Sequence, residues 1–128
     1  MKKIKLAIVG AGMSGLTFAR EVEKSNPHQC EIVLFEKYKE VGGRMATRYD
    51  GEYNFDHGTQ FVSPHDKDFS ILLESLEKCG VVKRWDARFM EVSDRKVTVI
   101  RTWDNLCKHY VGYPDMNAIP RHLSQRLN

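Results

Sequence analysis

The stretch Ile8-Val9-Gly10-Ala11-Gly12-Met13-Ser14-Gly15 decides the fold. An apolar run from Ile4 to Val9, with lysines at 2, 3 and 5, leads straight into Gly-x-Gly-x-x-Gly, and a segment with helical spacing follows. That order reads as strand, tight turn, helix. Gly10 lets the chain leave the strand with backbone angles that a side chain forbids. Gly12 leaves room for a diphosphate to approach the backbone, and Gly15 lets the helix pack closely on the strand. A diphosphate here meets free N–H groups and the positive end of the helix dipole.

The spacing predicts a helix over residues 13–23, with Leu16, Ala19 and Val22 toward the sheet and Arg20, Glu21 and Lys24 toward water. Ser25-Asn26-Pro27 ends it. A second apolar run, Ile32-Val33-Leu34-Phe35, stops at Glu36, 21 residues after Gly15. A carboxylate at the tip of the second strand is placed to accept hydrogen bonds from the ribose hydroxyls of an adenine nucleotide. It also disfavours a 2′-phosphate, so FAD or NAD fits better than NADP. A β-α-β unit carrying an ordinary surface acid is the alternative.

The 128 residues suit one domain, and 41% hydrophobic with 29% charged residues is an ordinary globular composition. Net charge is +3, and most basic residues are interleaved with acids, as in Lys37-Tyr38-Lys39-Glu40, so a nucleic-acid partner is not expected. The three cysteines, Cys30, Cys79 and Cys107, have no Cys-x-x-Cys spacing, which argues against a disulfide framework or a zinc site and for reduced thiols in a cytoplasm. The five histidines, His28, His57, His65, His109 and His122, form no metal-binding pair by spacing, so no metal is expected. The N-terminus superficially resembles a secretory signal, but glycines interrupt its apolar part and cleavage would delete the fingerprint. No stretch approaches the length of a membrane span.

After Glu36 come Val41-Gly42-Gly43-Arg44, where paired glycines permit close approach to a ligand and the arginine can neutralise a phosphate. Glu36-Lys37, Gly42-Gly43-Arg44-Met45 and then Asp56-His57-Gly58-Thr59-Gln60-Phe61 together resemble the start of the flavin-containing amine oxidase superfamily, most closely its renalase-like branch. The resemblance implies that Gly10, Gly12, Met13, Ser14, Gly15, Glu36 and Lys37 hold the ADP half of FAD. It further implies that Gly43, Arg44 and Met45 run along the diphosphate, and that Gly58, Thr59 and Gln60 lie near the isoalloxazine. Gln60 is the best candidate for a polar contact to the flavin, and no side chain stands out as a catalytic acid or base.

Asp50-Gly51 between alternating aromatic and polar residues signals a hairpin with a two-residue turn, with Tyr49, Tyr53 and Phe55 expected to pack within it. Asp66 can cap a helix whose apolar face is Phe69, Leu72, Leu73, Leu76 and Cys79, ended by Gly80. Residues 81–85 and 87–92 read as short strands that turn at Ser93-Asp94-Arg95 into a strand over 96–103, a sheet of its own. The segment Tyr110 to Pro120 also looks renalase-like, and Asn117 can cap a last helix with Leu123 and Leu127 inward. Core packing is the expected role of Trp85, Trp103 and Tyr110.

The expected fold class is α/β: an incomplete Rossmann-like FAD-binding β-α-β unit over 1–62, then an α+β substrate-domain segment with an antiparallel sheet over 63–128. No further parallel crossover unit follows Glu36, so the chain is expected to be the N-terminal portion of a flavoprotein, completed by a missing C-terminal half or a complementary chain. The expected function is FAD-dependent oxidation of a small substrate, with hydride passing to flavin and oxygen as acceptor. A non-catalytic adenine-nucleotide-binding fragment and an NAD-dependent dehydrogenase are the alternatives.

Overall fold

The computed structural model describes residues 3–27, 29–103, 106–125 and 127. Strand β1 (Ile4–Val9) and strand β2 (Cys30–Phe35) pair in parallel, in register from Ile4 opposite Cys30 to Val9 opposite Phe35. Helix α1 (Met13–Ser25) makes the crossover. It runs two residues beyond the predicted 13–23, because the Asn26 N–H still reaches the Val22 carbonyl at 2.9 Å before Pro27 stops the ladder.

Alternation along the two strands sorts their side chains. Leu6, Ile8, Ile32 and Leu34 are at least partly buried on the face that α1 covers. Ala7, Val9, Val33 and Phe35 stay exposed on the opposite face, with Val9 at 88% and Phe35 at 55% of full accessibility.

Past β2 the chain makes a 3-10 turn (Gly43–Met45) and the hairpin β3 (Arg48–Asp50) and β4 (Tyr53–Phe55). The two-residue loop is Gly51-Glu52, one residue later than Asp50-Gly51, since Asp50 itself pairs with Tyr53. Tyr49, Tyr53 and Phe55 do not pack as expected. All three are exposed, because among the described residues no layer covers the hairpin; Tyr53 and Phe55 meet at a tilt of 40°, with ring centroids 6.4 Å apart.

Helix α2 (Lys67–Lys78) begins as the sequence predicts, with the Asp66 carboxylate accepting from the Phe69 N–H at 2.8 Å. Strand β5 (Val82–Arg84) then pairs antiparallel with the distant β8 (Tyr110–Gly112), while β6 (Arg88–Ser93) and β7 (Lys96–Thr102) pair with each other. The expected single sheet over 81–103 is therefore two separate ladders. Helix α3 (Ala118–Ser124) closes the described chain with Pro120 in its first turn. Asn117 stands at its N-cap position without capping it, because that residue has helical angles and its side chain turns inward.

One apolar cluster joins these parts. Leu16 of α1, Met45, Leu73 and Leu76 of α2, Tyr110 of β8 and Leu123 of α3 all contribute, so residues on both sides of position 62 share it. Each such side chain contributes about 1.5–3 kcal/mol by leaving water. Trp85 and Trp103 pack elsewhere, around Phe61 and His109, with Trp103 stacked on His109 at 3.7 Å.

The Asp66 cap is separable from this core. Asp66→Ala is expected to lower stability by about 1 kcal/mol, and Asp66→Asn by less, because Asn can accept the same bond. Urea denaturation of the variants against the parent chain checks both.

Candidate dinucleotide-binding site

Three backbone turns converge at the carboxyl end of β1 and β2. The first, Gly10 to Gly15, leaves β1 with Gly10 at φ +97° and enters α1. A Cβ on Gly15 would run into the Gly10 carbonyl, so the helix can sit this close to the strand only without a side chain there. The second turn, Gly42 to Met45, lies on the first: Gly42 N–H donates to the Ala11 carbonyl at 2.9 Å, and Gly12 and Gly42 form a parallel bridge. A Cβ on Gly12 would meet nothing nearer than Gly43 Cα at 4.0 Å, so backbone faces backbone across an opening. Gly42 at φ +128° and Gly43 at φ +56° hold angles that disfavour any side chain.

The third turn, Gly58 to Gln60, hangs from the second. Thr59 N–H donates to the Arg44 carbonyl at 2.9 Å, and a Cβ on Gly58 would collide with that carbonyl. The structure thus brings together the three motif segments that the sequence singled out.

Glu36 sits at the rim where β2 ends. Its Oε1 accepts from the Tyr38 N–H at 3.0 Å and its Oε2 from the Ala11 N–H at 2.8 Å. These backbone donors, Tyr38 first and Ala11 next, hold its carboxyl below the usual value of 4.5 and keep it ionised. A carboxylate has about four lone-pair sites, so two acceptors remain for ribose hydroxyls.

The individual side chains divide. Arg44 is exposed and makes no ion pair among the described residues, leaving its guanidinium available to an anion. Ser14 and Gln60 are exposed. Lys37 is exposed and turned over the Tyr38 ring at 4.7 Å. Met45 belongs to the core at 7% exposed and half-buried Met13 packs against it, so Met45 turns its backbone rather than its side chain to the crevice.

Sequence reasoning missed what lies behind these turns. Thr47 Oγ1 donates to Asp56 Oδ1 at 2.6 Å and accepts from the Asn117 N–H at 3.1 Å, while Asp56 Oδ1 also accepts from the Met116 N–H at 3.1 Å. Beside them Arg121 donates to buried Asp115 at 2.6 Å and to the Tyr49 hydroxyl at 2.7 Å, and Tyr49 donates to Asp115 at 3.0 Å. Burial and the bond to Asp115 push the Tyr49 phenol up, the nearby Arg121 charge and Asn117 amide pulling the other way. The bonds that join the two ends of this group span 60 to 72 residues and leave no local spacing to read, although Asp56 and the 115–117 segment lie inside stretches that the resemblance covers.

The sequence profile of the NAD(P)-binding Rossmann-like domain matches residues 8–76, more than half of the chain. The chain belongs to that family. It is 34% identical over 83 residues to mouse prenylcysteine oxidase 1-like, covering 62% of this chain and 17% of that protein. It is 38% identical over 77 residues to the 4,4'-diapophytoene desaturase (4,4'-diaponeurosporene-forming) of Staphylococcus aureus, covering 60% of this chain and 14% of the other. Among solved structures, putrescine oxidase bound to putrescine superposes with a TM-score of 0.50 at 26% identity, over 81% of this chain and 22% of that one. A fatty acid isomerase from P. acnes shares the fold at a TM-score of 0.50 and 22% identity, over 73% of this chain and 22% of that one. The chain therefore spans less than a fifth of the length of these two curated relatives.

Among the described residues no group of three His, Cys, Asp or Glu side chains could hold a metal ion, and no helix is long and apolar enough to cross a membrane. His28 lies outside the described residues.

Glu36 gives the site a pH signature. Its folded pKa is depressed, so its contribution to stability is present above the unfolded value of about 4.5 and is lost as pH falls through the lower folded value. Glu36→Gln is expected to flatten that part of the acid limb, which thermal unfolding of both proteins between about pH 3 and pH 6 measures.

Proposed function

We propose that this chain is the dinucleotide-holding part of an FAD-dependent oxidoreductase of the amine-oxidase type, in the renalase-like branch. The observation that carries the reading is the seating of the Gly42–Met45 turn on Gly12, with Thr59 tied to Arg44 behind it. A mononucleotide fold alone needs the first turn and Glu36. The second and third turns add a glycine-lined wall and an unpaired arginine beside the same crevice, which suits a longer dinucleotide whose diphosphate lies between two backbones.

The residues fit FAD. Gly10, Gly12 and Gly15, with Met13 and Ser14 at the start of α1, would take the ADP half; the remaining Glu36 acceptors would take the ribose, and Lys37 borders it. Gly43, Arg44 and the backbone of Met45 would line the diphosphate, with Gly58, Thr59 and Gln60 toward the flavin ring. When bound, FAD supplies two-electron redox chemistry, taking a hydride equivalent from a reduced small substrate, with dioxygen as final acceptor. The protein's part is to bind and orient it.

The bare face of Ala7, Val9, Val33 and Phe35 supports the view that further polypeptide, in the same chain or a complementary one, completes the sheet. The three free thiols, Cys30, Cys79 and Cys107, support a reducing cytoplasmic setting. An NAD-dependent dehydrogenase is the second reading, favoured by the family's own dinucleotide.

Titration of the chain with FAD, followed by flavin fluorescence and absorbance with ADP and NAD as competitors, tests the proposal. Saturable FAD binding displaced by ADP is expected, weakened about tenfold or more by Arg44→Ala, equivalent to about 1.4 kcal/mol or more. NADH binding without FAD binding would transfer the site to the second reading.

A further inference from the structure

Asn117 is fully buried at 0% exposure, yet its amide makes no hydrogen bond of ordinary length among the described residues, acting only weakly on the Tyr49 phenol. Burying an amide without a hydrogen bond of ordinary length costs stability relative to its solvated state. An apolar side chain of similar size would avoid that cost, so the fold tolerates a local penalty here.

Its position supplies a reason. Asn117 Oδ1 stands where a Gly42 side chain would be, in contact with the backbone of the turn that faces Gly12. The backbone of Asn117 is fixed independently, by its N–H to Thr47 Oγ1 and, one residue earlier, by the Met116 N–H to Asp56 Oδ1. Thr47 closes the figure by donating to the same Asp56 oxygen. The amide is therefore held against Gly42 by a frame that also anchors the segment leading into Gly58, Thr59 and Gln60. Thr47, half-buried Asp56 and the backbone of residues 116–117 thus tie together two turns 16 residues apart.

We infer that Asn117, framed by Thr47 and Asp56, is a positioning residue of the dinucleotide site, acting through the Gly42–Gly43 backbone. The inference rests on the FAD reading for its consequence in binding, and on the apo chain for its geometry. Broken local rules concentrate where function requires them, and a weakly paired amide behind a ligand-facing turn is such a break.

The test separates positioning from ordinary core packing. Asn117→Leu removes the weakly paired amide and keeps the volume, so its unfolding midpoint is expected to stay level or rise. Its FAD dissociation constant is expected to rise about tenfold or more, with a shifted flavin absorption band, and Thr47→Ser is expected to bind FAD like the parent. Amide hydrogen exchange without FAD reads the geometry directly: Gly42 and Thr59, whose N–H groups bond to Ala11 and Arg44, should lose protection while the β1–β2 ladder keeps it. Unchanged FAD affinity with unchanged protection at Gly42 and Thr59 would overturn the inference. So would a uniform loss of protection and stability, the mark of a packing residue. If the parent chain binds no FAD, the FAD reading fails, and exchange at Gly42 and Thr59 still decides the positioning role. Should Asn117→Leu not fold, Asn117→Ala carries the exchange comparison alone, with its midpoint expected to fall because it leaves a cavity and protection expected to drop at Gly42 and Thr59 relative to the β1–β2 ladder.

Discussion

The approach of two glycine turns, Ala11-Gly12 against Gly42-Gly43, is the constraint from which the rest of the arrangement follows. A backbone bond of 2.9 Å from Gly42 to the Ala11 carbonyl seats the second turn on the first, and Gly42 must lack a side chain to make it, because its φ is +128° and a Cβ there would run into Asn117 Oδ1. Gly15 brings α1 down onto β1 by the same absence, and so aims the helix N-terminus at the opening. Glu36 then closes the rim by accepting from Ala11, which couples the ionisation of one carboxylate to the shape of the first turn. Local chain geometry and ligand geometry are thus the same problem in this region.

What stabilises the site lies mostly outside it. The 3-10 turn seats Met45 into a core shared with α2, β8 and α3, and the polar frame of Thr47, Asp56, Asp115 and Arg121 ties that core to the hairpin. Against this well-buried side stands the bare outer face of β1 and β2. Two parallel strands with one helix bury one face of a sheet, and a sheet whose apolar residues point both ways requires a second layer. The β6–β7 hairpin shows the same condition, with Met90, Val92 and Ile100 all exposed.

The sequence revealed those features whose partners are close along the chain. The fingerprint, the crossover helix, the acid at the end of β2 and the Asp66 cap are local patterns, and each stands where spacing put it. The sequence places β5 in one sheet with β6 and β7, whereas β5 pairs with β8, because antiparallel pairing over about 28 residues leaves no trace in either strand's own alternation. Residue type and a place before a helix make Asn117 a cap in the sequence, a role it does not take in the fold. Its burial depends on Gly42, 75 residues away, and no propensity encodes that. Chemistry alone assigns the hairpin aromatics to packing, whereas their exposure is decided by whether another layer covers them.

The central claim is that the crevice between Gly12 and Gly43 receives the diphosphate of an adenine dinucleotide. Backbone amide NMR of the isotopically labelled chain, titrated with FAD, maps that contact residue by residue. The account predicts that the amides of Gly12, Ser14, Gly43, Arg44 and Thr59 shift together with one affinity, while those of the β6–β7 hairpin stay in place. Shifts confined to the aromatic group around Trp103 and His109, with the glycine turns unmoved, would contradict it.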